Sequence, residues 1–402
     1  NLFGMLIGYF LHCLAEKCKE RNIQRIYFCS REGWMFFECW KRMAPHLFAG
    51  GTAPEARYLY VSRMGLSSAA CAHAGLTATN ATVALLPFQN MDFMDICRVY
   101  KLDIEPLRPY LDRAGLDPED HIVLVSADGA EGANPDNPFS VLMDDEAFQR
   151  EVKKQGVESR QLFEQYLDSE GFFDHREVAL VDIGWLGTIQ HYLHQAISHR
   201  GNRPHIHGFL LAATRMVPYP YSEENRCEGL VFDQHRFSLA TSYVLTIKDV
   251  LEEICRAPHP SVLGYEQVNG KTQPRFRTRS DEAAQSELKQ SEYYTPLHQG
   301  IFHGVEKYAL SVTLLGYESK YIRSWLNFYL VSRVAFPTSG ELKRIKHFFH
   351  QDDFAGERTV NQRILRYFQS LWDVKPWKIA LVPCIRYRYY YRHISRMLRL
   401  WA

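Results

Sequence analysis

Apolar residues recur along the chain in two patterns, short continuous runs of strand length and longer stretches with helical spacing. The short runs lie at residues 23–30, 58–62, 178–182 and 206–214. Residues with helical spacing precede the first run and follow both the first and the third. Because strands that alternate with helices are typical of a parallel sheet with right-handed crossovers, the pattern predicts an α/β fold.

Two long stretches have helical spacing with only isolated polar breaks. Residues 91–173 carry recurring charges and one turn-rich segment at 126–137 (SADGAEGANPDN), so we predict a helical insertion there. The pattern is helical again beyond Tyr243, and a polar stretch interrupts it near residues 264–279. We therefore expect an α/β domain over residues 1–264 and a mainly helical C-terminal region over residues 265–402.

Composition and charge exclude several classes of protein. The 47 basic and 46 acidic side chains leave a net charge of +1, which provides no overall field for a polyanion, and nucleic acid is not an expected partner. Nine cysteines without a C-x-x-C pair fit neither a disulfide framework nor a zinc module, and they favour a reducing cytoplasm. No apolar run approaches the roughly 20 residues of a transmembrane helix. Because the chain opens at Asn1 directly into a helix, we expect it to be part of a longer polypeptide.

The strongest candidate site follows the apolar run at 178–182, in the sequence VALVDIGWLGT. Two glycines allow a close turn, and the helix predicted after them directs its positive end toward the same space. The pattern therefore predicts a phosphate site whose backbone N–H groups come from Gly184, Trp185, Leu186, Gly187 and Thr188. Asp182, at the carboxyl end of the strand, can bind sugar hydroxyls or a metal ion. In the alternative interpretation the glycines only shape a turn and Asp182 caps the helix.

Two Ser-Arg pairs follow two other predicted strands. The first run ends in CSREGW, which supplies Ser30, Arg31, Glu32 and Gly33, and the second continues into VSRMG, which supplies Ser62 and Arg63. If the two strands are neighbours in the sheet, both arginines can reach one polyphosphate, and an arginine can clamp pyrophosphate with two hydrogen bonds. Each arginine taken alone is equally consistent with a surface ion pair.

Four segments together resemble a known family of bacterial domains. They are FCSREGW, YLYVSRMGL, VALVDIGWLGTIQ and LEEICRAPHPSVLGYE, and they extend over roughly the first two thirds of the chain. The combination resembles the domain that follows a haloacid-dehalogenase-like phosphatase in bacterial polysaccharide-assembly proteins. That domain is similar to a phosphoribosyltransferase, so the resemblance implies a Rossmann-like parallel sheet of phosphoribosyltransferase type.

The resemblance also implies an activity and its partners. The implied reaction transfers ribofuranose 5-phosphate from phosphoribosyl pyrophosphate to a hydroxyl of a lipid-linked bacterial polysaccharide, with release of pyrophosphate. A fused phosphatase would then remove the 5-phosphate, and fused glycosyltransferase domains are implied as further partners. The implied location is cytoplasmic, at the inner face of the bacterial membrane.

Matched positions give the candidate residues their implied roles. The family's pyrophosphate contacts match Ser30, Arg31, Gly33, Ser62 and Arg63, and its 5-phosphate loop matches residues 184–188. Glu252 and Glu253 match an acidic position of a later motif, where they either face the site or only solvate a helix, and Glu253 is the candidate site residue. Classical phosphoribosyltransferases place two adjacent acids at the strand end, whereas Ile183 follows Asp182 in this chain.

The implied chemistry passes through an oxocarbenium-like ribosyl centre. Mg²⁺ and the arginines would neutralise the departing pyrophosphate, and a carboxylate would accept the proton of the acceptor hydroxyl. Asp182 and Glu32 are both candidates for that base, and Asp182 is also the candidate metal ligand.

Other functions stay open at the level of the sequence. A haloacid-dehalogenase-type phosphatase also uses carboxylates at strand ends, although its D-x-D nucleophile strand is missing here. A non-catalytic phosphate-binding scaffold of a multidomain polysaccharide-assembly protein would keep the loop and lack the second acid. The basic and aromatic segment at residues 377–402 either lies on an anionic membrane, packs as a helix or contacts RNA.

Overall fold

A five-stranded parallel sheet forms the centre of the molecule. The computed structural model describes residues 2–85, 92–122, 138–214, 217, 219–278, 282–335, 350–351 and 359–360. The strands are β1 (Arg25–Cys29), β2 (Glu55–Leu59), β3 (Glu177–Trp185), β4 (His205–Ala213) and β5 (Asn225–Asp233). Their order in the sheet is β2-β1-β3-β4-β5, and every neighbouring pair is parallel. The predicted Rossmann-like α/β fold is therefore confirmed.

Side chains of the sheet alternate between two apolar cores, one on each face. In β1, Ile26 and Phe28 point into the first core, whereas Tyr27 and Cys29 point into the second. The first core is covered by α1 (Leu2–Glu20), α2 (Gly33–Leu47), α10 (Leu239–Thr246), α11 (Lys248–Cys255), α12 (Glu282–Leu315) and α13 (Ser319–Leu330). Because helices lie on both faces, the molecule has three layers, and the strands are buried as parallel strands usually are.

Helices of the second face include the predicted insertion. They are α3 (Arg63–Ala74), α4 (Ala78–Leu85), α5 (Phe93–Tyr100), α6 (Arg108–Ala114), α7 (Pro138–Asp144), α8 (Glu146–Ser169) and α9 (Thr188–Ile197). Four of these, α5 to α8, fall within residues 91–173, so the helical insertion is confirmed. The turn-rich segment at 126–137 lies outside the described residues.

The two edge strands differ from the prediction. The second strand, predicted at residues 58–62, lies at Glu55–Leu59, because its register pairs Leu59 with Cys29 and β1 ends there. The following residues, from Tyr60 to Ser62, extend past the last strand partner. The sequence analysis missed β5, whose amino-terminal half carries Arg226 and Glu228 and lacks a continuous apolar run.

A β-hairpin occupies the position of the predicted domain boundary. Strands β6 (Val262–Val268) and β7 (Lys271–Phe276) pair in antiparallel fashion, joined by Asn269 and Gly270, which both have positive φ angles of 53° and 75°. Beyond the hairpin, α12 packs against α1 and α2, and Ile301 shares the first core with Phe10. Residues on both sides of the predicted boundary therefore contribute to one continuous core.

Two further short strands, β8 (His350–Gln351) and β9 (Thr359–Val360), pair in antiparallel fashion. The basic and aromatic segment at 377–402 lies outside the described residues. No helix in the described part of the chain has both the length and the apolar character that crossing a bilayer requires.

Candidate functional site

The predicted site residues other than Glu253 lie at the carboxyl ends of β1, β2 and β3, where the strand order changes direction. From β1 the chain continues to β2 on one side of the sheet, whereas from β3 it continues to β4 on the other side. Such a switch point leaves a crevice at the carboxyl ends of the two strands, which is where open α/β sheets bind ligands. The β1 loop (residues 30–33) and the β3 loop (residues 184–188) both border this crevice.

Glycine geometry shapes the β3 loop. Gly184 has a φ angle of 123°, and a Cβ atom at this position would lie 2.0 Å from the carbonyl oxygen of Ala212. Gly187 has a φ angle of 84°, and its Cβ would lie 2.6 Å from the Tyr221 hydroxyl. Only glycine fits these two positions, because L-residues rarely adopt such angles and no space exists for a side chain. The Gly184–Trp185 peptide bond is cis, as is the Ser30–Arg31 bond in the β1 loop.

Neighbouring elements hold the β3 loop from several directions. The carbonyl oxygen of Trp185 accepts hydrogen bonds from the backbone N–H and the hydroxyl of Thr214, at 2.7 and 3.1 Å. Trp185 packs against the first core and Leu186 against the second. The loop is therefore anchored to both cores and to the end of β4.

Helix α9 begins directly at the end of this loop. Gly187 is its N-cap residue, and the first helical hydrogen bond runs from the His191 N–H to the Gly187 carbonyl at 3.0 Å. The preceding N–H groups of the first turn have no partner within the helix and carry its positive end. The Thr188 hydroxyl lies 2.9 Å from that of Tyr219, so a side-chain contact already engages it. This arrangement can stabilise an anion through backbone groups.

Residues of the β1 loop are held by contacts with the segment after β2 and with β1 itself. Ser30 is 2% exposed, and its hydroxyl donates to the Val61 carbonyl at 2.6 Å while it accepts from the Val61 N–H at 2.9 Å. Ser30 therefore continues the pairing of β1 with the segment after β2. Gly33 begins α2, and a Cβ at this position would lie 3.0 Å from the carbonyl carbon of Phe28. The Arg31 carbonyl accepts a hydrogen bond from the Tyr58 hydroxyl at 3.3 Å.

The second Ser-Arg pair begins helix α3. The Ser62 hydroxyl accepts from the Gly65 N–H at 2.8 Å, which caps the helix, and it donates to the Val262 carbonyl at 2.6 Å. Arg63 is exposed at the first position of α3, and its charge lies close enough to Asp182 to lower the pKa of that carboxyl. Because β1 and β2 are neighbours in the sheet, the condition under which both arginines could reach one polyphosphate is met.

Three carboxylates surround the crevice. The register pairs Phe28 with Val181, so Asp182 lies at the level where β1 ends, and it is only 7% exposed. Burial raises the pKa of Asp182 to about 8, and the negative charge of Glu32 contributes next. The N–H of Ile183, 2.7 Å from the carboxylate, and the charge of Arg63 act in the opposite direction, and Glu252 raises the pKa further. Burial and the neighbouring carboxylates therefore disfavour the charged form of Asp182.

The two adjacent acids of α11 have different environments. Glu252 accepts a hydrogen bond from the Trp185 indole N–H, which connects α11 to the β3 loop. Glu253, the predicted site residue, is fully buried and pairs with the guanidinium of Arg256, which is 3% exposed. Of the two acids that match the family's acidic position, Glu252 contacts the predicted phosphate loop, whereas Glu253, the candidate site residue, is buried beside Arg256.

The crevice fits a divalent cation only when a phosphorylated substrate supplies some of the metal ligands. Among the described residues, no group of three or more histidine, cysteine, aspartate or glutamate side chains is arranged to hold a metal ion. Mg²⁺, however, is commonly held by one or two carboxylates and the phosphates of a substrate. Asp182 and Glu32, whose charges interact, would be the residues to hold it.

Sequence comparison adds no independent identification. The amino-acid sequence matches no known protein-family model and no curated protein. The crevice itself combines a glycine-shaped loop at a helix start, an exposed arginine and a buried carboxylate. Such a combination suits a phosphorylated ligand whose charge is balanced by cations.

Proposed function

We propose that this chain is a phosphoribosyltransferase-like glycosyltransferase. It transfers ribofuranose 5-phosphate from phosphoribosyl pyrophosphate to a hydroxyl of a lipid-linked bacterial polysaccharide and releases pyrophosphate. The observation that supports the proposal most is the convergence of the β3 loop, Arg63 and the buried Asp182 on one switch-point crevice. Phosphoribosyl pyrophosphate carries a phosphate at one end of its ribose and a pyrophosphate at the other. The β3 loop suits the phosphate, and the arginines suit the pyrophosphate.

In the proposed complex the two ends of the donor occupy different loops. The 5-phosphate lies against the β3 loop and the start of α9, whose first-turn N–H groups have no partner within the helix. The pyrophosphate lies toward Arg31 and Arg63 on the neighbouring strand ends. The ribose then lies above Asp182, at the end of the strand between the two anionic sites.

The proposed reaction needs a proton acceptor beside the ribose. The bond from ribose C1 to the pyrophosphate oxygen breaks with its electron pair on pyrophosphate, and the acceptor oxygen bonds to C1 as its proton leaves. Because burial raises the pKa of Asp182 to about 8, its carboxylate is a stronger base than that of an exposed aspartate. Mg²⁺ bound with the donor would supply positive charge to the departing pyrophosphate. Glu32 is the alternative base.

Peripheral contact with the cytoplasmic membrane is part of the proposal, since the acceptor is lipid-linked. The described C-terminal helices α12 and α13 and the turn between them expose a set of large apolar side chains, namely Leu310, Leu314, Leu315, Tyr317, Tyr321 and Trp325. Lys320 and Arg323 are exposed on α13 among them. Aromatic rings beside cations suit the headgroup region of an anionic bilayer. Cosedimentation of Trp325→Ala with phosphatidylglycerol vesicles, compared with the unsubstituted chain, tests this contact.

A transfer assay tests the main proposal. The chain is incubated with phosphoribosyl pyrophosphate, Mg²⁺ and a synthetic glycan acceptor, and mass spectrometry measures the adduct of one ribose phosphate. Calorimetry with phosphoribosyl pyrophosphate measures donor binding in the same preparation. Donor binding without an adduct would favour the non-catalytic scaffold, and release of inorganic phosphate from a sugar phosphate would favour the phosphatase. Absence of both binding and adduct contradicts the proposal.

A further inference from the structure

A cleft of about 650 Å³ lies beside the β6–β7 hairpin, next to the crevice but separate from the β3 loop. We call it the hairpin cleft, and its walls include Tyr60, Phe276, Glu266, Gln273 and Arg275. This volume is within the range of about 300–1,000 Å³ that is usual for small-molecule sites. None of these residues has a part in the proposed donor site.

The aromatic wall of the cleft belongs to a packed cluster of rings. Tyr60 and Phe276 have ring centroids 5.4 Å apart, and His259 lies 5.2 Å from Tyr60 and 5.4 Å from Phe276. Both Tyr60 and Phe276 are half-buried, so part of each ring remains open to the cleft. Rings that are fixed by neighbours present an apolar surface at small entropic cost.

The backbone of Tyr60 is held in place although β2 has already ended. Its N–H donates to the Tyr166 hydroxyl at 2.9 Å, and its carbonyl accepts from the Tyr265 hydroxyl at 2.9 Å. These two tyrosines stack on each other with centroids 4.9 Å apart, inside the second core. Two buried hydroxyls thus replace the strand partner that an edge strand lacks, and they fix the Tyr60 ring at the cleft.

Direct contacts connect the hairpin cleft to the proposed pyrophosphate loops. The Ser62 hydroxyl donates to the Val262 carbonyl of β6 at 2.6 Å, one residue before Arg63. The Tyr58 hydroxyl lies 2.8 Å from His259 Nε2 and also contacts the Arg31 carbonyl. Since His259 belongs to the ring cluster, the wall of the cleft and both arginine-bearing loops form one hydrogen-bonded unit.

The lining combines flat apolar rings with side chains that donate and accept hydrogen bonds. Glu266 and Gln273 lie opposite each other in the hairpin register, and Arg275 lies opposite Gly264. A pyranose has a comparable division, with an apolar face of C–H groups and a rim of hydroxyls. We infer that the hairpin cleft is the subsite for the acceptor saccharide, with Tyr60 and Phe276 as its stacking platform. The role of the bound saccharide as an acceptor rests on the proposed function, whereas saccharide binding itself is measurable without a donor.

Ligand-observed saturation-transfer NMR on the full chain tests the subsite. The probes are the methyl pyranosides of glucose, galactose and N-acetylglucosamine, without donor. We expect saturation transfer from at least one of them, reduced about fivefold or more in Tyr60→Ala and in Phe276→Ala. Tyr60→Phe keeps the ring and should keep the signal. Phe237→Ala removes an exposed aromatic side chain after β5, at the opposite edge of the sheet, and serves as the matched control.

The outcomes separate this inference from the proposed function. Equal signals in Tyr60→Ala and the unsubstituted chain, or no signal from any of the three probes, overturn the saccharide subsite. Calorimetry with phosphoribosyl pyrophosphate is performed on the same preparations, and thermal unfolding verifies that each variant is folded. If the donor does not bind while the pyranoside signal depends on Tyr60, the donor proposal fails and the saccharide subsite stands. If the donor binds and the signal does not depend on Tyr60, only the subsite fails.

Discussion

Acidic side chains at the two ends of the parallel sheet have opposite environments. At the amino end, Glu177 lies between His205 at 3.0 Å and His207. Although partial burial raises it, the hydrogen bonds and charges of these histidines hold the pKa of Glu177 below its ordinary value. At the carboxyl end, burial and Glu32 raise the pKa of Asp182 to about 8.

Pairing accounts for the difference. At the amino end, Arg21 contacts His207 at 3.0 Å and Glu228 at 2.6 Å, so acids and bases alternate in one network. At the carboxyl end, Asp182 is nearly as buried as a core residue and its main charged neighbour is another carboxylate. A protein satisfies its charges internally where no ligand binds, whereas crowded like charges in a crevice indicate a functional site. Of the two ends of the sheet, and among the residues that the structure describes, the carboxyl end has that arrangement.

The largest expected effect is a loss of activity when the acid at the carboxyl end of the sheet is neutralised, compared with neutralisation of an acid at the amino end. In the transfer assay, Asp182→Asn should lower kcat/KM about 10²- to 10⁴-fold, since it removes the proposed base while it keeps the shape of the side chain. Glu177→Gln, at the amino end, should stay within about twofold of the unsubstituted chain, because Glu177 is outside the proposed site. Equal losses in the two variants would remove the functional distinction between the ends.

Backbone geometry provides the second contrast. Gly184→Ala places a Cβ 2.0 Å from the Ala212 carbonyl oxygen at a φ angle of 123°, and it should lower the free energy of unfolding by roughly 3 kcal/mol or more. Gly201→Ala lies in the turn before β4, at the amino end, where a Cβ would meet no atom within 4 Å. This control should change the free energy of unfolding by less than about 0.5 kcal/mol. Urea denaturation measures both, and a mild effect at Gly184 would contradict a rigid loop.

The central strands were predicted close to their observed bounds, whereas the edge strand β2 was predicted three residues too late and the edge strand β5 was not predicted. The continuous apolar runs at 23–30, 178–182 and 206–214 correspond to β1, β3 and β4, which have neighbours on both sides and helices on both faces. The edge strands β2 and β5 have one neighbour each and mix polar with apolar residues, so their bounds depend on pairing register. The β6–β7 hairpin had a usable signal, since Asn-Gly between alternating residues is typical of a two-residue turn.

Positions within the candidate site were predictable to the level of the loop but not always of the side chain. The β3 loop and Asp182 follow directly from a buried strand that ends in glycine. In α11, however, the apolar positions 250, 251, 254 and 255 centre on a direction that is equally far from Glu252 and Glu253 at about 100° per residue. Helical periodicity therefore cannot decide which acid reaches Trp185. The inward hydroxyl bonds of Ser30 and Ser62 likewise depend on contacts that are distant in sequence.

The finest test of the comparison depends on a sign and not on a size, namely the sign of the pH dependence of stability. Asp182 has a raised pKa in the folded chain. Its contribution to the free energy of unfolding is therefore complete below about pH 4 and is lost as the pH rises toward about 8. Glu177 has a lowered pKa, so its contribution is present above its ordinary value of about 4.5 and is lost on acidification.

Urea denaturation of Asp182→Asn and Glu177→Gln between pH 3.5 and 8, without Mg²⁺ or donor, measures these two signs. Relative to the unsubstituted chain, Asp182→Asn should gain stability as the pH rises from about 4 to about 8, because the unsubstituted chain must ionise a buried acid. Glu177→Gln should be less stable by about 0.5–1 kcal/mol near neutral pH, a difference that shrinks below about pH 4.5, since solvent screens this partly exposed pair. If both differences change with pH in the same direction, the two ends of the sheet do not differ in the way that their pairing implies.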